Sequence, residues 1–432
     1  MATSDETLER SALAKASWRL LPLIAIGYGI SYVDRVNIGF AALQMNRDLH
    51  FSATVYGLGA GLFFLSYALF EVPSNLLLAR FGARRWIARI MLTWGVLAAG
   101  MMFVRTPMEF YVMRFLLGLA EAGFFPGVLY YLTLWFPEAH RGRAVSRFYV
   151  AWPISTVVMG AVAGSLLGLQ GRLGLSGWQW LFLVEGAPAV LLSVVIFFCL
   201  PDSPAQAKWL SADEKTWLQR RLAADTAALP GAHANIFKAL ASLPVLAAAA
   251  VNLMLLGTFY AFNLSAPELL HYATGLSVAQ VGYLVAGAGV TGAAAMLVNG
   301  WHSDRSGERH LHLVAPLLIM AAAFGVIGQV QAPGWVIGAY VVALTANCAV
   351  GGVVWPVLIG VLHPKTAATG VAAINAVGQL GSFLMPALWG IAKDQTGSFH
   401  LGLTALPFAY LTAAAIVLGL RQARRRLAAA PA

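Results

Sequence analysis

The sequence predicts an all-α membrane protein of twelve spanning helices, arranged as two six-helix halves related by a pseudo-two-fold. Three observations predict it. Of 432 residues, 59% are hydrophobic and only 11% charged. The apolar residues gather into twelve long runs. A basic loop scheme recurs at the same point of each half. A soluble domain carries roughly a quarter of its residues charged, so much of this exterior must face something other than water. Apolar runs of about 20 residues hide their backbone polar groups only as helices, and the alternating ten-residue segments of a barrel do not occur.

The runs cover 20–41, 53–78, 86–104, 110–136, 145–169, 179–200, 241–264, 277–300, 311–331, 335–362, 367–392 and 401–420. Glycine and proline recur within them (Pro73, Pro126, Pro153, Pro188, Pro356, Pro386), as membrane helices tolerate. Residues 1–19 read as a polar cytoplasmic tail rather than a cleavable signal, 20–200 as the first six-helix bundle and 241–420 as the second. Between them, 201–240 reads as a cytoplasmic linker. Ser211 followed by Glu214 is a capping-box pattern that opens a short amphipathic helix there. Residues 421–432 form a basic cytoplasmic tail.

Lysine and arginine set the orientation. With the N-terminus in the cytoplasm, 22 of the 28 fall on cytoplasmic segments, against four on outer segments: Arg47, Arg105, Arg172 and Lys393. Both ends are therefore expected inside, in a bacterial cytoplasmic membrane. The same distribution accounts for the net charge of +10 without a nucleic-acid partner. The two cysteines, Cys199 and Cys348, lie far apart in apolar runs, so neither a disulfide framework nor a metal site is expected. No phosphate-cradling G-x-x-x-x-G-K-[ST] loop occurs, which argues against an ATP-driven pump. No nucleophile–base constellation suggests an enzyme.

The loop after the second run holds Arg80, Gly82 and Arg84; the loop after the eighth holds Gly300, Asp304, Arg305, Gly307 and Arg309. Both follow Arg-x-Gly-x-Arg, as in a duplicated six-span unit. The second copy resembles the signature loop of the major facilitator superfamily. The first departs from it, with Ala79 in place of the acid and Asn75 in place of the first glycine. Longer stretches resemble the anion:cation symporter family within that superfamily: YVDRVNIGFA (32–41), SYALFEVPSNLLLARFGARRW (66–86), RFLLGLAEAGFFPGVLYYLTLWFP (114–137), GWQWLFLVEG (177–186), LPDSPAQAKWL (200–210) and GVAAINAVGQLGSF (370–383). The resemblance implies proton-coupled uptake of a small organic anion by alternating access: a sugar acid, a dicarboxylate or an aromatic carboxylate. Protons would be the coupling ion, with no cofactor, and a monomer in lipid is expected. It also implies substrate contacts at Tyr32, Tyr67, Trp355 and Asn375. Gln379, one turn after Asn375, is a further candidate. Leu264-Ser265 stand where the family has two large rings, so the outer gate or pocket wall is expected to differ.

Asp34, Arg35, Arg114 and Glu121 lie deep in the first and fourth runs. A charge at mid-membrane costs about 2.5–3.5 kcal/mol on insertion scales, which points to a transport role. Adjacent helix residues diverge by about 100°, so Asp34 and Arg35 face differently, whereas Tyr32 and Arg35 share a face. Arg114, Gly118 and Glu121 stack on one face, with Gly118 inviting close approach by a neighbour. Fully ionised, the four charges cancel; each proton bound to an acid adds +1 and makes the site attractive to an anion. Asp34 and Glu121 are therefore expected to carry protons. Arg35 would clamp a carboxylate with its planar fork, and Arg114 would switch partners. Glu71 and Glu185 read as structural, as do the interfacial His302, His310 and His312. An organic-anion exchanger, an efflux transporter and a transporter-like receptor are the alternatives; the short linker disfavours the last.

Overall fold

A computed structural model describes residues 4–227, 241–362 and 367–429; Lys238 and Lys365 of the positive-inside count lie outside the described residues. Among the described residues, eleven helices are long and apolar enough to cross a membrane. They are span two (Ala53–Phe81), three (Ala83–Phe103), four (Pro107–Thr133), five (Glu138–Leu167), six (Gly177–Cys199), seven (Leu243–Thr274), eight (Val278–Ser306), nine (His310–Gln329), ten (Pro333–Gly351), eleven (Gly370–Thr396) and twelve (His400–Arg426). The twelfth is the first in the chain, span one (Ser4–Asp48). It is long enough, but Asp34, Arg35 and Asn37 interrupt its apolar run.

Packing repeats between the halves. Span one pairs with five, two with four and three with six; seven pairs with eleven, eight with ten and nine with twelve. The halves meet where span two crosses eleven and five crosses eight, with span one against seven. These crossings are backbone on backbone. A Cβ on Gly61 would lie 2.5 Å from the Phe383 carbonyl oxygen, and one on Gly160 2.5 Å from that of Gly282. Tyr56 donates to the Leu264 carbonyl at 2.8 Å, and the Ala53 and Thr54 N–H groups donate to Asp394 at 3.0 and 2.8 Å. All of these contacts lie at the end of the bundle away from the chain termini. The absent rings at Leu264-Ser265 matter here: Leu264 presents its backbone, against which span one packs at Gly39 and span two at Tyr56.

Four boundaries differ from expectation. Residues 4–19 are not a loose tail but the first turns of span one, with Ala12 and Ala16 fully buried. Spans four and ten are broken. Span four stops at Glu121 and restarts at Phe124, with Gly123 at φ 86°. Span ten stops at Gly351, and a short helix resumes at Val354–Ile359. The basic C-terminal segment continues the last helix to Ala429.

The linker helix, Ala212–Ala227, opens with the expected box: Glu214 N–H donates to Ser211 Oγ at 3.2 Å, and Ser211 N–H to Glu214 Oε2 at 2.8 Å. Glu214 also accepts from Lys15 Nζ (2.7 Å) and Ser11 Oγ (2.6 Å), tying the linker to the start of span one. Burial alone would raise the Glu214 pKa; the Lys15 and Ser11 bonds outweigh it and hold the carboxyl down at about 2. A carboxyl depressed by folding stabilises the fold above its unfolded pKa, near 4.3, and loses that contribution as pH falls toward the folded value. Lys15→Ala is therefore expected to lower thermal stability at pH 7 but not at pH 2, read by detergent-solubilised melting, and to speed proteolysis of the linker. An equal loss at both pH values would contradict it.

The two signature loops dock on the ends of the sixth and twelfth spans. Gly82, at φ 89°, lies against Asp202, whose carboxylate accepts from Arg84 N–H at 2.7 Å and pairs with Arg84 Nε at 3.8 Å. Asp202 thus provides the acid that Ala79 withholds. Arg80 sits over the Phe81 ring. In the second loop Asp304 pairs with Arg309 at 3.8 Å, Gly307 is left-handed at φ 68°, and Arg305 lies over Trp301. Glu308 pairs with Arg421 at the end of span twelve, at 3.1 Å. A Cβ on Gly300 would sit in ordinary contact with the Gly352 carbonyl, at 3.9 Å.

Candidate functional site

A cavity lies between the halves, enclosing about 1040 Å³ of non-protein space with its open mouth included. The crossings described above seal the end away from the termini. Span one contributes Tyr28, Tyr32 and Arg35, spaced four and three residues apart on one helical face. Span two gives Tyr67, span four Phe125 just after its break, and span five Tyr149 and Trp152. The second half gives Asn252, Phe259 and Tyr260 from span seven, Asn347 from span ten, Trp355 from the short helix after it, and Asn375 and Gln379 from span eleven. All five residues expected to contact substrate besides Arg35 therefore line one space. The wall is largely aromatic, and among the described residues Arg35 is the one cationic side chain on it.

Arg35 does not stand free. Its Nε donates to Glu121 Oε1 at 2.8 Å, and Nη2 approaches the same oxygen at 2.7 Å. Ser31 Oγ donates to that oxygen at 2.6 Å. The guanidinium also lies 4.8 Å over the Tyr67 ring. Glu121 is fully buried and ends its helix at the break, so the chain leaves the spanning direction at the residue that holds Arg35. Discontinuous helices at midplane are where such folds build sites.

The sequence places Arg114 and Glu121 on one helical face; the structure pairs Glu121 with Arg35. Arg114 is fully buried, bonded only to the Ala60 carbonyl at 3.3 Å, and its Nε and Nη1 have no hydrogen-bond partner. Its charge rests 4.9 Å over the Phe63 ring, whose surroundings also include Arg35 at 5.7 Å. Gly118 is what lets this happen: a Cβ there would collide with the Phe63 carbonyl, so spans two and four touch along their backbones.

Asp34 points the other way. Its Oδ2 accepts from Trp94 Nε1 at 2.9 Å and its Oδ1 from Asn37 Nδ2 at 3.2 Å. It is 2% exposed and does not line the cavity. The four charges are thus neighbours, but only Arg35 meets the cavity; the other three stand behind its wall. This corrects the expectation that the four charges together form one site facing the anion. The physical reason is the 100° step between Asp34 and Arg35.

At the mouth Asn375 Nδ2 donates to both oxygens of Glu71 at 3.2 Å, bridging spans eleven and two. Tyr149 and Trp355 interact across the opening. Gln379 Oε1 is buried without a partner. Tyr28, Phe125, Tyr149, Trp152 and Tyr260 are wall residues that the sequence reading missed. The four- and three-residue spacing of Tyr28, Tyr32 and Arg35 was available as a signal. In the sequence Glu71 reads as structural, with no sign that it reaches Asn375.

Against known proteins, the model of the Major Facilitator Superfamily matches residues 24–386. A protein of Agrobacterium vitis named as a candidate tartrate transporter is 44% identical over 92% of this chain and 92% of its own. A quinolone resistance transporter of Acinetobacter baumannii is 40% identical over 93% of both chains. Among solved structures, the inward open conformation of the xylose transporter XylE from E. coli superimposes with a TM-score of 0.75, at 16% identity, over 93% of this chain and 96% of that one.

Proposed function

The chain belongs to the major facilitator superfamily and is an integral membrane transporter, and from that premise we propose that it takes up a small organic anion together with protons, by alternating access. One observation carries this reading: the cation facing the cavity, Arg35, is already occupied by the protein's own carboxylate, Glu121. A substrate carboxylate must compete with Glu121 for the same guanidinium. Protonating Glu121 removes the competitor and leaves Arg35 free to clamp the anion. Releasing the proton restores the pair and ejects the anion. Proton and anion are thereby bound and lost together without any contact between them.

The remaining parts fit that cycle. Arg114 lacks a carboxylate partner while Glu121 holds Arg35, and both Asp34 and Glu121 lie within its Coulombic range; it can take up whichever acid is ionised next. Tyr32, Tyr67, Trp355, Asn375 and Gln379 supply rings and amides that orient the body of the substrate. The sign of the charged loops supports both termini in the cytoplasm; in that orientation the cavity opens inward, to the compartment where an imported anion is released. The relative named for tartrate supports a hydroxy acid; the ring-lined wall also suits an aromatic acid.

The test is uptake of a panel of about twenty labelled organic acids into proteoliposomes, with and without an inward proton gradient. Accumulation of at least one acid above equilibrium, abolished by a protonophore, is expected. Transport of none of them, or transport indifferent to the gradient, would refute the reading. The relative named for quinolone resistance favours export as a second reading, and the same assay separates it: an exporter that exchanges solute for protons would drive preloaded solute out of the lumen toward the acidic side. Arg35→Lys keeps the charge but loses the fork that bonds two oxygens at once. Uptake is expected to fall at least tenfold, mainly through a higher KM, and wild-type kinetics would remove the clamp.

A further inference from the structure

Behind the cavity wall, on the side where Asp34 points, spans one, three and six enclose a second polar cluster, of which the cycle above uses only Asp34. It comprises Asp34, Asn37, Trp94 and Glu185, each less than a tenth exposed. The Asn37 amide donates to Asp34 at 3.2 Å and also interacts with the Glu185 carboxyl. Asp34 and Glu185 are near enough to repel one another if both are charged. Two buried acceptors in this cluster, Asn37 Oδ1 and Glu185 Oε2, have no protein donor. A buried acceptor left unmatched costs about 1–3 kcal/mol, and two carboxylates sharing a site cannot both ionise cheaply. A hydrogen on Glu185 relieves both problems, because a carboxylic O–H can donate to the amide oxygen.

We propose that Asp34 and Glu185 form one proton-binding unit bridged by Asn37, so that Glu185 is a proton-coupling residue rather than a structural one. This inference rests on the proton-coupled reading above and adds a site to it. The unit takes up and gives back one proton, shared by its two acids, during the cycle. With Glu185 counted, the buried cluster has three acids against Arg35 and Arg114, and that one proton makes it neutral.

The charged groups around Glu185 are few. Span one presents Asp34, and Arg35 turns away to the cavity. Span three presents the Trp94 indole, its arginines lying at the terminal end. The part of span five packed here, Ala151–Leu167, carries no charge. From span four, Glu121 and Arg114 reach Asp34. Loss of the Glu185 charge removes a like-charged neighbour from Asp34, which then ionises at lower pH and needs more acid to load.

Glu185→Gln is therefore expected to move the pH of half-maximal proton-driven uptake down by at least one unit, a tenfold rise in the proton concentration required. Exchange of labelled for unlabelled substrate, which needs no net proton movement, should persist, because Glu185 does not touch the cavity. Glu185→Asp should restore most of the wild-type profile. Asn37→Ser, which shortens the bridge, provides a second variant should Glu185→Gln fail to fold, and should shift the profile in the same direction. An unchanged midpoint in whichever of these variants folds, an alkaline shift, or parallel loss of uptake and exchange at every pH that Glu185→Asp does not restore would each overturn the proposal. If the unaltered protein moved no protons, the proton-coupled reading itself would fall; a proton-coupled wild type with an unshifted Glu185→Gln would sink this inference alone.

Discussion

In Glu121→Gln, proton-driven accumulation should fall at least tenfold, and affinity for the anion should no longer depend on pH. In the unaltered protein the ionised Glu121 accepts from both Arg35 and Ser31 through one oxygen. A charge-assisted bond of this kind contributes about 1.5–3 kcal/mol, which converts to roughly tenfold to hundredfold in a competing equilibrium. In the proposed cycle a proton on Glu121 withdraws the competitor, so wild-type affinity should rise with proton concentration. The amide of glutamine imitates the protonated acid at every pH, so affinity stays at its high limit, and release into a neutral compartment slows. Binding of labelled anion across pH 5–8, set beside accumulation in proteoliposomes, reads both effects. A glutamine variant whose affinity still tracks pH would show that the proton acts elsewhere, with Asp34 the next acid to examine.

Much of this arrangement was legible because helical spacing is local. Tyr32 and Arg35 share a face in sequence and share the cavity in the structure, and Asp34, one residue away, turns inward as a 100° step requires. The duplicated loops announced two halves, and the span pairings repeat accordingly. What escaped reading depends on how helices are rotated against each other. Span four offered Arg114 and Glu121 as one face, but the backbone contact at Gly118 seats Arg114 under Phe63, and the break at Gly123 ends the helix at Glu121. The breaks left a trace, a glycine soon followed by a proline (Gly123 and Pro126; Gly352 and Pro356), that also occurs in membrane helices that do not break. The missing acid of the first loop could not be found locally, because Asp202 arrives from 118 residues along the chain.

The sealed end gives the other large effect. Gly282→Leu is expected to populate the conformation open at that end and to cut transport at least tenfold. Gly160 and Gly282 face each other where spans five and eight cross, with the Gly282 oxygen and the Ala286 nitrogen 2.5 and 2.7 Å from where a Cβ on Gly160 would sit, and a Cβ on Gly282 colliding with the Gly160 oxygen. The atoms in the way are backbone, which has no rotamer to yield. Overpacking in ordinary cores costs about 1–3 kcal/mol with side chains that can move; here the halves must separate or the helices must bend. Moving a two-state equilibrium from 1:99 to 99:1 takes about 5.5 kcal/mol, so a leucine should shift the populations substantially, and Gly282→Ala less. Spin labels at the exposed Arg47 and Gln395, in a background with Cys199 replaced, report the separation at that end. The leucine variant should show a longer distance without substrate, while the same labels in the unaltered protein reach it only as a minor population. A leucine variant with the wild-type distance distribution and normal uptake would mean that this crossing opens too little during transport to serve as a gate.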